Sequence, residues 1–548
     1  MQKAVNFLVS QIVNSGIRHV VICPGSRSAP LTLAFVRHPQ LTCYSLVDER
    51  SAAFTALGMA IAGRNAVAIV CTSGTAVLNL YPAICEAFYS QIPLLVITAD
   101  RPAELIDQWD GQCIRQDHIF EKHSLGSFTF DPLKPHDNIA EEIQLCMYPK
   151  MGPVHINVPL AEPLYEAKNT EFEYPVSQWV SDAELPETQQ LPEKPAYQRI
   201  MLLAGADAFG DRFSESVTTL VNAGNVVVLS DIISGLHSTQ TVFHWDAIAT
   251  LTSDKQKDEL RPDLLITIGK FTVSKGLKRL LREFKPKQHW HVTPNNTIAD
   301  PFVTSPEEIK CSEAVFLNWL ISCTHQIGEE YVQQWKKAEN KISAAMDQLL
   351  SSENFNEFTV VYKLLQNLKK ETVLHSANSM PVRYLSFLAG EAKHLQLYAN
   401  RGTSGIDGST STAAGNSMLS DKQVVLLTGD LSFFYDINGL WNKYIGPNFK
   451  IVVLNNGGGG IFRLIDGPSD LPEREEFFAT SNNMPIPRDC KAMAKEFGFT
   501  YHQASDMPTI LKNLDILTKD KKHPGLLEVF IAPEQTIEFY KAFKKLEP

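Results

Sequence analysis

Asp430 closes the run LLTGD, and Asn456 follows it by 26 residues inside a second apolar run, IVVLNNGGGG. That spacing predicts a strand ending in an acid, a crossover helix, and a neighbouring parallel strand ending in an amide, so that two oxygen ligands meet at one sheet edge. A carboxylate, an amide oxygen and a carbonyl from the glycine run suit a hard divalent cation that keeps diphosphate oxygens in its shell. Taken singly, Asp430 would more often cap the next helix and Asn456 would more often make a turn. Because each ends an apolar, β-branched run one crossover apart, the pair favours the metal.

The elements that must hold such residues follow an α/β rhythm. Apolar strands (HVVICP, AVAIVCTS, PLLVITAD, PVHINVP) alternate with alanine-rich helices over residues 1–175, as in a doubly wound parallel sheet. A polar, proline-dotted linker follows, then a second α/β unit over 195–330, with RIMLLAGA, NVVVLSD and DLLITIGK as strands. A lysine- and glutamate-rich helix is expected over 329–353, and a third α/β unit over 355–548. The chain of 548 residues, 44% hydrophobic, is ample for three domains with separate cores. Its 61 acidic residues against 50 basic ones, a net charge of −11, argue against a nucleic-acid surface. Nine cysteines without a CxxC pair argue against a disulfide framework or structural zinc and for reduced, cytoplasmic thiols. MQKAVNFLVSQIVNSG reads as a first amphipathic helix and not a signal peptide, and no apolar run approaches the roughly 20 residues that span a bilayer. No GxGxxG follows the first strand, which disfavours a nicotinamide oxidoreductase.

Several separated segments resemble one family. The GD and NN pair is similar to the diphosphate motif of thiamine diphosphate enzymes. CPGSRSAPL (Cys23 to Leu31), ITADRP (Ile97 to Pro102), DGQCIRQ (Asp110 to Gln116), NRGTSGIDGSTSTAAG (Asn400 to Gly415) and GDLSFFYDINGL (Gly429 to Leu440) together resemble the 2-succinyl-5-enolpyruvyl-6-hydroxy-3-cyclohexene-1-carboxylate synthase branch, which serves menaquinone biosynthesis. Separated motifs in the right order are far more specific than one glycine-rich loop. The resemblance implies pyrimidine-binding, central and diphosphate-binding domains, with thiamine diphosphate and Mg2+ or Mn2+ as cofactors. It implies a transferase that decarboxylates 2-oxoglutarate and adds the remaining fragment to isochorismate in a Stetter-like conjugate addition. It also implies a homodimer or homotetramer, with the pyrimidine domain of one chain and the diphosphate domain of another around each cofactor; from charge and hydropathy, neither nucleic-acid nor membrane partners are expected.

Site residues carry over position by position. Glu49, opening the helix after CYSLVD, matches the catalytic glutamate beside the aminopyrimidine ring. Taken alone it would be an ordinary first-turn glutamate complementing the helix dipole. Ser73 and Gly74, in a loop similar to the family's TSGPG, together with Ile406, Gly429, Leu431, Ser432, Ile461 and Phe462, match cofactor-binding positions. Asp430, Asn456 and, two residues further on, Gly458 match the metal ligands. Two dianionic substrates require gathered cations even in an acidic protein. Arg27, Arg101, Lys275, Arg383 and Arg401 match such positions, with Ser26, Gln112 and Ser379 as polar companions and Ile461, Phe462 and Ile465 as an apolar wall. Singly, each base could be a solvated or ion-paired side chain and each apolar residue simple core. GDLS lacks the second glycine of the commoner GDG, and NNGGGG replaces NNNGG or NNDG; both fit this branch better than the decarboxylases. His118 and His123 are read as structural. The alternatives are an acetohydroxyacid synthase-like carboligase whose central domain holds FAD, and a noncatalytic member of the fold, which the presence of Glu49 disfavours.

Overall fold

The computed structural model describes residues 1–134, 136, 138–147, 150–165, 172–174, 191–207, 209–294, 299–323, 328–351, 354–481 and 489–548. The linker expected between the first two α/β units lies largely outside the described residues. Among the described residues the apolar runs form three sheets. The first contains β1 (His19–Ile22), β2 (Thr42–Ser45), β3 (Val67–Cys71), β4 (Leu94–Asp100), β5 (Gly126–Thr129) and β6 (Pro153–Pro159), in the order β2-β1-β3-β4-β6-β5. The second contains β7 (Ile200–Ala204), β8 (Val227–Ser230), β9 (Leu264–Ile268), β10 (Gln288–Val292) and β11 (Glu307–Ile309), in the order β11-β10-β9-β7-β8. The third contains β12 (Val373–Ser376), β13 (Gln396–Ala399), β14 (Val424–Gly429), β15 (Phe449–Asn455), β16 (Thr500–Ala504) and β17 (Gly525–Phe530), in the order β13-β12-β14-β15-β17-β16.

The registers are parallel, with Val20 opposite Ala68, Leu202 opposite Ile266 and Val453 opposite Glu528. Every residue of β3 and β4 is buried, the pattern of a parallel strand covered on both faces. Counted in order of appearance, the strands of the first and third sheets follow the same path. In such sheets the ligand crevice opens where the strand order reverses, at the carboxyl ends of β1 and β3 in the first sheet and of β12 and β14 in the third. The candidate residues Ser26, Ser73, Ser379 and Asp430 all leave those strands.

The chain packs as two compact units. One comprises Met1–Ala183 with Asn400–Val424 and Ser432–Phe449; the other holds the second sheet and nearly all of the third. In the first unit, the helix Glu49–Gly63 is capped by Asp48, whose side chain accepts from the Ser51 N–H. It is alanine-rich and buried on every side from Ser51 to Ile61, as a core helix should be. It touches the helix Ser409–Leu419 backbone to backbone. A Cβ added at Gly58 would stand 1.9 Å from the Thr412 carbonyl oxygen, and one at Gly415 2.0 Å from that of Thr55. In the second unit one continuous core joins Leu203, Trp245, Trp335, Phe358 and Leu427. The helix expected over 329–353 spans Glu330–Leu350 and buries Trp335, Ile342 and Met346 there. Each large apolar side chain buried this way contributes about 1.5–3 kcal/mol.

Candidate active site at the carboxyl ends of the sheets

In the second unit, β14 delivers Asp430 to the sheet edge and β15, its neighbour, delivers Asn456. Asp430 is only 7% exposed. Its carboxylate accepts the N–H of Leu431 at 2.8 Å and the N–H of Gly458. Burial, opposed only in part by these donors, raises its pKa to about 7. The Asn456 amide nitrogen donates to Glu357, while its carbonyl oxygen is buried without a partner. The turn is made possible by Gly457 and Gly458, whose φ angles are 71° and 146°. A Cβ at Gly458 would meet the Ala479 carbonyl oxygen at 2.4 Å. The Gly458 carbonyl accepts from the Gly460 N–H at 3.0 Å and keeps a second lone pair. A carboxylate short of donors and an orphaned amide oxygen on adjacent strands fit a hard cation. Among the described residues no cluster of three or more His, Cys, Asp or Glu side chains is poised for a metal. The pair thus supplies one carboxylate and one amide oxygen, a donor set that suits a cation also bound by a ligand's oxygens. Gly429 and Leu431 flank Asp430; Ile461 packs on the core, Phe462 meets Phe478 edge-on at 5.8 Å, and Ile465 is half-buried on the same turn.

Also in this unit, Ser379 sits at φ 74° before the helix Met380–Phe387, and Arg383 donates to its carbonyl. Lys275 is exposed as the first residue of the helix Lys275–Glu283. Both helices are tied to buried Asp246, which accepts from Ser386 at 2.6 Å and from Ser274, the residue before Lys275.

In the first unit, Glu49 stands half-buried at its helix start. Its charge reaches the ends of β1 and β3: burial first, then Glu49, pushes the Cys71 thiol up, and the Cys23 thiol feels burial, Cys71 and Glu49 in turn. Ser73 donates to the Gln112 carbonyl at 2.8 Å, and the Gly74 N–H donates to Gln116 at 2.9 Å. Gln116 donates onward to Asn157 and the Ala99 carbonyl, Asn157 donates to Asp100, and Asp100 accepts the Arg101 N–H, so one buried network frames the loop. Arg101 pairs with Asp110 at 3.2 Å. Ser26 is exposed, whereas Arg27 is 5% exposed and donates to the Leu160 carbonyl and to Glu162. Arg401 begins a loop seated on buried Glu86. One Glu86 oxygen accepts from the Gly402 N–H and the Ser90 hydroxyl, the other from the N–H and hydroxyl of Thr403. Ile406 is 41% exposed, and its carbonyl accepts from Ser432 at 2.7 Å. His123 bonds Tyr81, and His118 is exposed beside Asp117.

Four residues were not singled out from the sequence: Glu86, Gln116, Asp246 and Glu357. Glu86 had a signal, being the one charge in the apolar run YPAICEAFYS. Glu357 had a weaker one in the capping box of Asn356 and Thr359 that starts its helix.

Known proteins match nearly the whole of this chain. The family "Thiamine pyrophosphate enzyme, N-terminal TPP binding domain" matches residues 2–120, "Middle domain of thiamine pyrophosphate" residues 198–375, and "Thiamine pyrophosphate enzyme, C-terminal TPP binding domain" residues 383–529. A protein of Flavobacterium johnsoniae named 2-succinyl-5-enolpyruvyl-6-hydroxy-3-cyclohexene-1-carboxylate synthase is 38% identical over 550 residues, covering 97% of this chain and 96% of that relative. Proteins of the same name from Flavobacterium psychrophilum and Cytophaga hutchinsonii are 39% and 36% identical, covering 95% and 97% of this chain and 95% and 96% of their own lengths. With full-length identity at this level and the Asp430–Asn456 pair in place, the chain belongs to the 2-succinyl-5-enolpyruvyl-6-hydroxy-3-cyclohexene-1-carboxylate synthase family of thiamine diphosphate enzymes.

Proposed function

We infer that the protein is a transferase that decarboxylates 2-oxoglutarate and joins the remaining four-carbon fragment to isochorismate, releasing carbon dioxide, in menaquinone biosynthesis. The observation that carries this reading is full-length membership of the family in a chain that keeps a donor-poor buried carboxylate beside an orphaned amide oxygen. Thiamine diphosphate, when bound, supplies the electron sink that lets a 2-oxo acid lose carbon dioxide. Asp430, Asn456 and Gly458 would hold Mg2+ or Mn2+, which would offset the charge of the cofactor's diphosphate. Gly429, Leu431, Ser432, Ser73 and Gly74 line the cofactor, and Glu49 holds a proton at the aminopyrimidine. Arg101, Lys275, Arg383 and Arg401 hold substrate carboxylates, the arginines through guanidinium forks that fix planar anions in orientation and Lys275 through its compact ammonium charge. Arg27, held to the Leu160 carbonyl and Glu162 in the loop after β1, joins that substrate set. Ile406, Ile461, Phe462 and Ile465 exclude water from the reacting face.

The working form in this reading is a homodimer or homotetramer in which Glu49 and Asp430 of different chains face one cofactor. The proposal places it in the cytoplasm, in keeping with nine cysteines that are all free. Among the described residues no helix is long and apolar enough to cross a membrane. An acetohydroxyacid synthase-like enzyme with FAD in the central domain is disfavoured because the relatives matched over nearly their full length carry the synthase name. The test is product formation from 2-oxoglutarate and isochorismate with purified protein, thiamine diphosphate and magnesium. Pyruvate used in place of 2-oxoglutarate at equal or better efficiency would overturn the substrate assignment.

A further inference from the structure

An asparagine presents two ends of nearly equal size and opposite chemistry, and a cation takes only the oxygen. Something must therefore decide which end of Asn456 faces the metal. Its nitrogen donates to Oε1 of Glu357, a carboxylate only 2% exposed. The other oxygen of Glu357 accepts from the hydroxyl of fully buried Tyr384 at 2.6 Å. The Glu357 backbone is pinned as well, its N–H donating to Thr536 and its helix started by the capping box of Asn356 and Thr359. The Asn456 carbonyl of the main chain accepts from Arg463, whose guanidinium is held by Glu475 at 2.8 Å. Only the side-chain oxygen of Asn456 is left over, buried and unpartnered.

We propose that Glu357 is a positioning residue for metal binding: by accepting the Asn456 amide nitrogen it turns the amide oxygen toward the cation. The proposal rests on the metal reading given above. A carboxylate with its second oxygen committed to Tyr384 presents an acceptor to Asn456, and the flipped amide would set oxygen against oxygen. Partners of this kind behind a metal ligand change affinity by about 10–100-fold when lost.

The test is calorimetric titration of the full-length protein with thiamine diphosphate and Mn2+, read beside its thermal unfolding. In Glu357→Gln, with Tyr384 still donating to the amide oxygen, the new NH2 faces Asn456 and draws its oxygen away from the metal. Affinity should fall about 10–100-fold with folding retained. In the double variant Glu357→Gln with Asn456→Asp, that NH2 donates to one carboxylate oxygen and leaves the other for Mn2+, so most of the lost affinity should return. Tyr384→Phe, which frees the carboxylate to swing, should give a smaller loss. Parent-like affinity in Glu357→Gln, or no recovery in the double variant, overturns the positioning role. Asp430→Ala separates the two ideas: if it loses Mn2+ while Glu357→Gln does not, only the positioning role falls, and if it binds normally the metal reading falls with it.

Discussion

The first and third sheets run their strands along the same path, yet the residues leaving corresponding strands differ in kind. After the second strand of each, Glu49 stands in one and Arg401 in the other; after the third, Gly74 and Asp430; after the fourth, Arg101 and Asn456. Topology sets the same stations in both sheets, and side-chain type decides what each station can do. After the third and fourth strands, the exits of the third sheet bring a carboxylate with few donors beside an unpartnered amide oxygen, suited to a cation. The same exits of the first sheet, at Gly74 and Arg101, are bound into a buried network, suited to holding a shape. Two buried carboxylates differ in the same way. Glu86, of the first unit, accepts four hydrogen bonds, whereas Asp430 accepts two backbone N–H groups and carries a pKa raised to about 7. A saturated carboxylate anchors a loop; an unsaturated one is completed by a ligand.

Four measurements can break or sharpen this comparison. Glu49→Gln should lower turnover by about two to four orders of magnitude, the usual cost of losing a proton-transfer group, while cofactor affinity stays near the parent value. Steady-state rates beside calorimetry decide it, and near-native turnover would remove the first sheet from proton traffic. Asp430→Ala should weaken metal-dependent cofactor binding by more than about 100-fold, beyond the usual outer-shell effect, with partial recovery at high magnesium and cofactor. Unchanged affinity would place the cation elsewhere. Glu86→Ala should leave the Gly402 and Thr403 N–H groups unpaired and destabilise the apo protein by about 1–3 kcal/mol in denaturant unfolding. Loss of metal affinity in place of stability would show that Glu86 and Asp430 are not different in kind. The last effect is of pH. The folded apo carboxyl of Asp430 binds a proton below about pH 7, and the cation must displace it, so magnesium affinity should fall by up to about tenfold per unit as pH drops below 7 and level off above it. A flat calorimetric profile between pH 6 and 8 would contradict the burial of that carboxyl.

The strands and the Asp430–Asn456 pair were legible because both are local: an apolar run has a length and an end, and one crossover separates the two ends. What the residues contact was less legible. Arg27 matches a substrate position in PGSRS, and the acceptors it meets in the fold, the Leu160 carbonyl and Glu162, lie far along the chain. Gly458 reads as a carbonyl ligand, and the bond of its N–H to Asp430 is added only by the fold. Glu357 and Gln116 act across folded distance, and nothing near them in sequence says which amide or N–H they will meet. Their roles exist only once the sheets have formed.

The glycine crossing of the helices Glu49–Gly63 and Ser409–Leu419 bears on how this gene could be cut. The first unit is not a contiguous stretch of polypeptide, since residues 400–424 and 432–449 complete it. An N-terminal fragment ending near residue 165 would bare the alanine and glycine face that Thr412 and Gly415 cover. Expressed alone, such a piece should be insoluble or self-associating, and co-expression with the missing segment, not a shorter tag or a colder culture, is what should rescue it.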